Sequence, residues 1–218
     1  MVSPENDEMA DALTELVRSA ARIPVACPAS SLGQFEAFIE TLLLWGRRLS
    51  LTSASTALRV VREHIVDSLH VAPHIKPEQQ VADIGSGAGF PGIPLAIVCP
   101  QAQFVLFESR RKRANFLREV VRRASLANVE VRETRLDARL PAWRGAFDVT
   151  VSRAFGTLEA FLGLSEMLLR GGGRAIAMKG PGFATGSVQL PGAFGNAEMV
   201  AYALPHGGNR CLVVCARQ

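Results

Sequence analysis

DIGSGAGFPG, residues 83–92, decides how this chain is read. It follows a short apolar run, VADI (81–84), and leads into IPLAIVC (93–99), so a strand passes into a glycine loop that opens a helix. Gly85, Gly87, Gly89 and Gly92 permit sharp turns and a close approach of the backbone to a ligand. Pro91 suits the first turn of the helix that follows. In an open parallel sheet, ligands sit beyond the carboxyl ends of the strands, where such a loop lies.

Toward the C-terminus the alternation continues. QFVLFE (103–108) reads as a strand, and 110–124 as a helix with Phe116, Leu117, Val120, Val121 and Ala124 on one face. Arg111, Asn115, Arg118 and Arg122 fall on the opposite face. VEVRE (129–133) and FDVTVSRA (147–154) are strands, and 158–169 is a helix that Gly171-Gly172-Gly173 should end. RAIAMKG (174–180) is a strand, followed by a glycine-rich loop over 179–196. Residues 197–204 and 211–216 are separated only by the turn-rich PHGGN (205–209), so they should pair as an antiparallel hairpin.

Toward the N-terminus the rhythm is helical throughout. Met9, Ala12, Leu13, Leu16, Val17 and Ala20 form one stripe, and Leu32, Phe35, Phe38, Ile39, Leu42, Leu43 and Trp45 a second, with Ser30 or Ser31 as its N-cap. Leu58, Val61, Ile65 and Leu69 mark a third. The expected architecture is α/β and Rossmann-like. A mostly parallel seven-stranded sheet ends in an antiparallel hairpin over 76–218, preceded by a small helical region over 1–75.

Composition narrows the class. Charged residues make up 20% of the chain and apolar ones 48%, an ordinary globular balance. The longest apolar run, Ile93 to Cys99, is far too short to cross a bilayer. The acidic, polar start, Met1 to Met9, lacks the basic and apolar regions of a signal peptide, so a cytoplasmic location is expected. The cysteines (Cys27, Cys99, Cys211, Cys215) have no CxxC spacing, and His70 and His74 have no evident third partner, so no metal site is expected. Cys211 and Cys215 should pack on one side of a strand. Net charge is +4, but eleven Lys or Arg between Arg110 and Arg144 face only four acids, so that stretch carries +7 and the remainder −3. Such a block fits an anionic partner or a solvated helix face.

The glycine loop admits two ligand readings. Gly85-x-Gly87-x-Gly89 fits the loop of Rossmann-like methyltransferases, while Gly87-x-Gly89-x-x-Gly92 fits the dinucleotide fingerprint. Asp83, two residues before the first glycine, and the C-terminal hairpin favour the first. Glu108, ending the next strand, can accept both ribose hydroxyls in either.

Further segments stand in order: REHIVDSL (62–69), DIGSGAGFPGIPLAI (83–97), ESRRKRANFL (108–117), SRAF (152–155) and MKG (178–180). Together with RLSLTS (48–53) after Trp45, they closely resemble the bacterial small-subunit rRNA guanine-N7 methyltransferases, the glucose-inhibited division protein B family, over roughly residues 35 to 216. The sequence departs from that family's pattern at Ser50, where asparagine is usual, at Glu108, where aspartate is frequent, and at Cys211, where histidine is usual.

The resemblance implies methyl transfer from S-adenosylmethionine to guanine N7 in a loop of 16S rRNA. N7 carries an in-plane lone pair and no proton, so positioning and desolvation suffice without a general base. Asp83, Gly85, Gly87, Gly89 and Phe90 of the loop, with Glu108, then belong to the cofactor site, and Leu136 and Asp137 bracket the adenine. Arg153 of SRAF touches both cofactor and substrate and is the candidate catalytic residue, donating to guanine O6. Arg111, Arg118, Arg122 and Lys179 are the candidate RNA contacts. The implied partner is 16S rRNA or the 30S subunit, with no membrane, and the protein is expected to be a monomer. Two rival readings remain at this point, a nicotinamide-dependent oxidoreductase on the same glycines and a non-catalytic RNA-binding protein.

Overall fold

The strand before the glycine loop is β1 (Gln80–Ile84) in the computed structural model, which describes residues 4–137, 141–181, 183 and 190–218. The other strands are β2 (Gln103–Glu108), β3 (Val129–Glu133), β4 (Phe147–Arg153), β5 (Leu169–Lys179), β6 (Phe194–Ala203) and β7 (Asn209–Arg217). Helices are α1 (Pro4–Ala20), α2 (Leu32–Leu49), α3 (Ala57–Val60), α4 (Val66–Leu69), α5 (Gly92–Val98), α6 (Arg111–Arg123) and α7 (Leu158–Leu168). The sheet runs β3-β2-β1-β4-β5-β7-β6. β1 to β5 are parallel, and β7 pairs antiparallel with both β5 and β6. This is the expected fold, hairpin included. The order reverses at β1, so the ends of β1 and β4 diverge there and leave room for a ligand.

Alternate residues of each strand serve opposite cores, as a period of two requires. Val81, Phe104, Leu106, Val149 and Val151 face a core shared with α5, α6 and the N-terminal helices. Ala82, Ile84, Val105 and Phe107 face α7, and Phe147 joins them although it is two residues before Val149, because β4 pairs irregularly between the two. Leu16, Phe35, Phe38, Ile39 and Leu42 of the helical region join the first of these cores, so α1 and α2 pack directly on the sheet domain. Cys211 and Cys215 lie buried together in the second, as their spacing predicts.

Four local expectations need correction. Gly171-Gly172-Gly173 does not cap α7. The helix stops at Leu168, Leu169 already pairs with Phe147, and the next partners are Val149 and Arg174, so the glycines form an irregularity inside β5. Ser31 precedes α2, but its hydroxyl donates to the Pro28 carbonyl (2.7 Å) instead of capping, because a 3₁₀ turn, Ala29–Ser31, already starts the helix. The third helical stripe is continuous but holds a π turn, Val61–Ile65, between α3 and α4. β6 begins at Phe194, three residues earlier than expected. Much of the predicted 179–196 loop, at 182 and 184–189, lies outside the described residues.

Candidate active site

The glycine loop is tied to both flanking strands. The amides of Gly85 and Ser86 donate to the Phe107 carbonyl of β2 (3.0 and 3.1 Å). The Gly92 amide donates to Asp83 Oδ2 (3.0 Å). A Cβ on Gly92 would sit 2.4 Å from Leu106 Cδ2 and 2.5 Å from Asp83 Oδ2, so the helix start approaches β1 closely enough that only glycine fits. Asp83 itself is fully buried beneath the loop, and Oδ1 has no hydrogen-bond partner among the described residues. Burial pushes its carboxyl up to about 7. Its visible task is to bind the loop to α5.

Glu108 is 5% exposed, and its two oxygens accept from the amides of Gly87 (3.0 Å) and Arg110 (2.7 Å). Each oxygen keeps a second lone pair for a hydroxyl. Next to it is a cavity of about 450 Å³ lined by Ile84, Gly85, Phe107, Ser109, Arg110, Thr134, Arg135, Leu136, Phe155 and Leu164; the neighbours of Glu108 on both sides line it, and Glu108 itself does not. A Cβ on Gly85 (φ +75°) would stand 3.0 Å from the Phe155 ring, so glycine keeps this cradle open. Glycine, a bidentate carboxylate, and apolar walls from Phe107, Phe155 and Leu136 suit an adenosine group with vicinal hydroxyls. Leu136 is one of the walls of this cavity, and Asp137 is exposed next to it. Gly87 spends its amide on Glu108, and Gly89 packs toward Ile93 and Leu117.

A second cavity, about 800 Å³, opens on the other side of the turn that follows β4. Arg153, Ala154 and Gly156 line this larger space and Phe155 the smaller one, so one short turn is a wall of both. Ala154 holds a left-handed φ of +56° there, the kind of backbone strain that collects at functional turns. Arg59, Arg62, Glu63, His64, Asp67, Lys179, His206 and Arg210 also line it, so cations outnumber acids there, although Glu63 pairs with Arg59.

Arg153 is largely buried in this wall. Its guanidinium carbon lies 4.7 Å from the Phe90 ring centre, Nη1 is 3.2 Å from His64 Nδ1, and the same nitrogen is 3.6 Å from Asp67 Oδ2. His64 packs on Phe90 (5.0 Å between ring centres) and reaches Thr52 Oγ1 with Nε2 (2.6 Å). Burial first, and the Arg153 charge second, bring the His64 imidazole down to about 4. Asp67, 4% exposed, also accepts from the Tyr202 hydroxyl (2.8 Å). Phe90 thus lies buried under Arg153 and lines neither cavity.

The expected RNA contacts divide. Arg118 pairs with Glu133 (3.1 Å), Arg122 with Glu119 (2.7 Å) and the neighbouring Arg123 with Glu40 (2.9 Å). The side chains of Arg110, Arg111, Lys112 and Arg113, at the start of α6, form no salt bridge with the described residues. Lys179 ends β5 on the larger cavity, with its ammonium 5.3 Å from the Phe183 ring, and burial lowers its pKa.

Sequence reasoning missed Ser109, Arg110, Thr134 and Leu164 in the smaller cavity and Arg59, Arg62 and Arg210 in the larger. Position alone could have signalled three of them, since Ser109 and Arg110 follow Glu108 and Thr134 follows β3. Among the described residues, no group of three or more His, Cys, Asp or Glu could hold a metal, and no helix is long and apolar enough to cross a membrane.

The sheet order, the antiparallel hairpin and the glycine loop after β1 define a class I methyltransferase fold. Solved structures share it. A predicted O-methyltransferase from Agrobacterium tumefaciens superposes with a TM-score of 0.56 at 23% identity, over 69% of this chain and 80% of that one. A tRNA (m1A58) methyltransferase from Aquifex aeolicus gives 0.54 at 18% identity, over 70% of this chain and 68% of the other. The family model described as rRNA small subunit methyltransferase G matches residues 31–210, and the chain belongs to that family. Ribosomal RNA small subunit methyltransferase G of Dichelobacter nodosus is 39% identical over 176 residues, 80% of this chain and 82% of its own length. The protein of the same name from Aromatoleum aromaticum is 38% identical over 186 residues, 83% and 87%. The chain is a methyltransferase, and the nicotinamide reading of its glycines falls away.

Proposed function

We propose that this protein transfers a methyl group from S-adenosylmethionine to N7 of a guanine in a loop of 16S rRNA. The observation that carries the reading is the shared wall. One turn, 152–156, separates a glycine-lined cradle suited to adenosine from a basic cavity large enough for a nucleobase.

Gly85, Glu108 and Leu136, with Phe155, would hold the cofactor; Asp137 is at hand for the adenine edge, and Asp83 and Gly89 support the loop from below. The bound cofactor supplies an electrophilic methyl group on a sulfonium. Guanine N7 has a lone pair in the ring plane and no proton to lose. The protein's work is therefore to orient the base, exclude water and leave the lone pair free. Arg153 can donate to O6 beside N7, since its Nε and Nη2 make no hydrogen bond with the described residues. Nothing in the reaction asks a side chain to take a proton, which agrees with a His64 held neutral and facing Arg153.

RNA is best read when its bases are unstacked, so a loop guanine can enter the cavity while its backbone meets cations outside. Arg111 and Lys179 are the better of the expected contacts, because the exposed pairs at Arg118 and Arg122 already meet carboxylates. The proposed partner is 16S rRNA, free or in the 30S particle, met in the cytoplasm by a protein that we take to act as a monomer. The test is labelled methyl transfer from S-adenosylmethionine to 30S subunits from cells lacking this protein, with the product nucleotide identified by mass spectrometry. Label on guanine N7 of 16S rRNA is the expected result. Cofactor binding without label on that base overturns the substrate.

A further inference from the structure

Arg153 is held from two sides by groups that treat it differently. On one side His64 Nδ1 faces its Nη1 at 3.2 Å, and arginine can only donate, so Nδ1 must be the unprotonated nitrogen. The His64 proton then sits on Nε2 and is donated to Thr52 Oγ1 at 2.6 Å, an oxygen that also accepts from the Ala54 amide at 3.0 Å. Thr52 accepts that proton and holds the ring in place, so Nδ1 stands as a fixed acceptor for Nη1.

On the other side stands a buried carboxylate. A guanidinium and a carboxylate left to themselves close into a two-bond fork. Here they do not. Asp67 Oδ1 is taken by the Tyr202 hydroxyl at 2.8 Å, and only Oδ2 faces Arg153, at 3.6 Å. Tyr202 cannot drift away, because its ring stacks on His70 at 4.0 Å and 23°. It stands on β6, the edge strand, and reaches across to α4.

We infer that Tyr202 is a positioning residue for methyl transfer: by hydrogen-bonding Asp67 Oδ1 it holds the carboxylate turned so that only Oδ2 faces Arg153, at 3.6 Å, and so keeps the outer N–H groups of Arg153 free for the guanine. Asp67 and the Thr52–His64 pair are its partners in that task. The inference rests on the reading that Arg153 touches the base. Without the tyrosine hydroxyl, Asp67 would turn both oxygens to the guanidinium and draw it off Phe90, where it now rests at 4.7 Å.

Steady-state methylation of 30S subunits lacking the modification tests this with Tyr202→Phe, Asp67→Asn, Arg153→Ala and the two double variants carrying Arg153→Ala. Tyr202→Phe is expected to lower kcat about tenfold, the worth of one hydrogen bond to a charged group. The KM for S-adenosylmethionine is expected to stay put, because that cradle lies on the other side of the wall. In the Arg153→Ala background, neither Tyr202→Phe nor Asp67→Asn is expected to lower kcat further. A purely structural role predicts the opposite, equal losses in both backgrounds, and that result overturns the inference. So does an unchanged kcat in Tyr202→Phe when Arg153→Ala is strongly impaired. If Arg153→Ala itself turns over normally, the reading beneath the inference fails and takes the inference with it. Thermal melting of each variant separates misfolding from mispositioning, and should Tyr202→Phe fold poorly, the Asp67→Asn pair carries the same cycle.

Discussion

Replacing Asp83 with asparagine removes a titrating group from beneath the glycine loop while keeping its shape. Asp83 is fully buried, and burial is the chief reason its carboxyl moves from 3.8 to about 7; Glu108 adds to this, while Ser86, the Gly92 amide and Arg153 oppose it. That displacement favours the protonated form in the folded chain by about 4 kcal/mol. At low pH, folded and unfolded chains both hold the proton, and nothing is lost. As pH rises past 3.8 the unfolded chain releases its proton while the folded chain retains it, so stability declines until the folded carboxyl also ionises near 7. Asparagine does not titrate, and its amide oxygen can still accept from the Gly92 amide. The stability of Asp83→Asn relative to the parent is therefore expected to grow by about 4 kcal/mol between about pH 4 and about pH 9. Urea unfolding of both proteins at several pH values reads it directly, and taking the difference cancels the other titrating groups. A difference that stays flat with pH, or grows toward acid, refutes the reasoning.

Gly92→Ala is expected to cost about 1–3 kcal/mol by overpacking against Leu106 and Asp83, whereas Gly163→Ala, whose Cβ would meet nothing within 4 Å on the exposed face of α7, should stabilise by up to about 1 kcal/mol; thermal melts of the two showing the same sign would contradict the packing described. Glu108→Ala strands the amides of Gly87 and Arg110 as well as the ribose, so calorimetry should find S-adenosylmethionine affinity reduced about 100-fold, and an unaltered Kd would remove Glu108 from the site. His64 has a folded value of about 4 against 6.5. Its contribution is thus present above 6.5 and lost as pH falls toward 4, by about 3 kcal/mol, and an imidazole seen by NMR to titrate near 6.5 in the folded protein would count against the Thr52–His64–Arg153 chain. Arg111→Ala is expected to lower the salt slope of RNA binding by about 1, and Arg118→Ala by less, since Glu133 of β3 already pairs with it; equal slopes would mean that this pairing does not matter.

Local signals carried the sequence reading a long way. The alternation of strands and helices, the loop at 83–92 and the C-terminal hairpin are each written within a few residues, and each is where it was expected. Gly171 to Gly173 misled because glycine marks helix ends and strand irregularities alike, and only the pairing of Leu169 with Phe147 separates the two. Arg153 and Glu108 were recognisable from their places at strand ends. The partners of Arg153 were not, because Asp67 and Tyr202 are 135 residues apart and meet only when β6 closes the sheet edge over α4. The neutralisation of Arg123 by Glu40 across 83 residues was equally invisible, which is why the basic helix read as uniform.

The π turn at Val61–Ile65 has a consequence for how this protein can vary. It holds one residue more than an α turn needs, and His64 lies within it while Asp67 lies just beyond. The wider turn absorbs that extra residue and keeps the two ends of the helix in phase, whereas a further insertion or deletion with no bulge to absorb it would rotate everything after it by roughly 100° relative to what precedes it. Asp67 would then swing away from Arg153 while the first turn, at Arg59, stayed in place. Most helices accept substitutions far more readily than they accept changes in length; in this one the extra residue is the setting of the site, so insertions and deletions between 57 and 69 are expected to be purged even where every single substitution nearby survives.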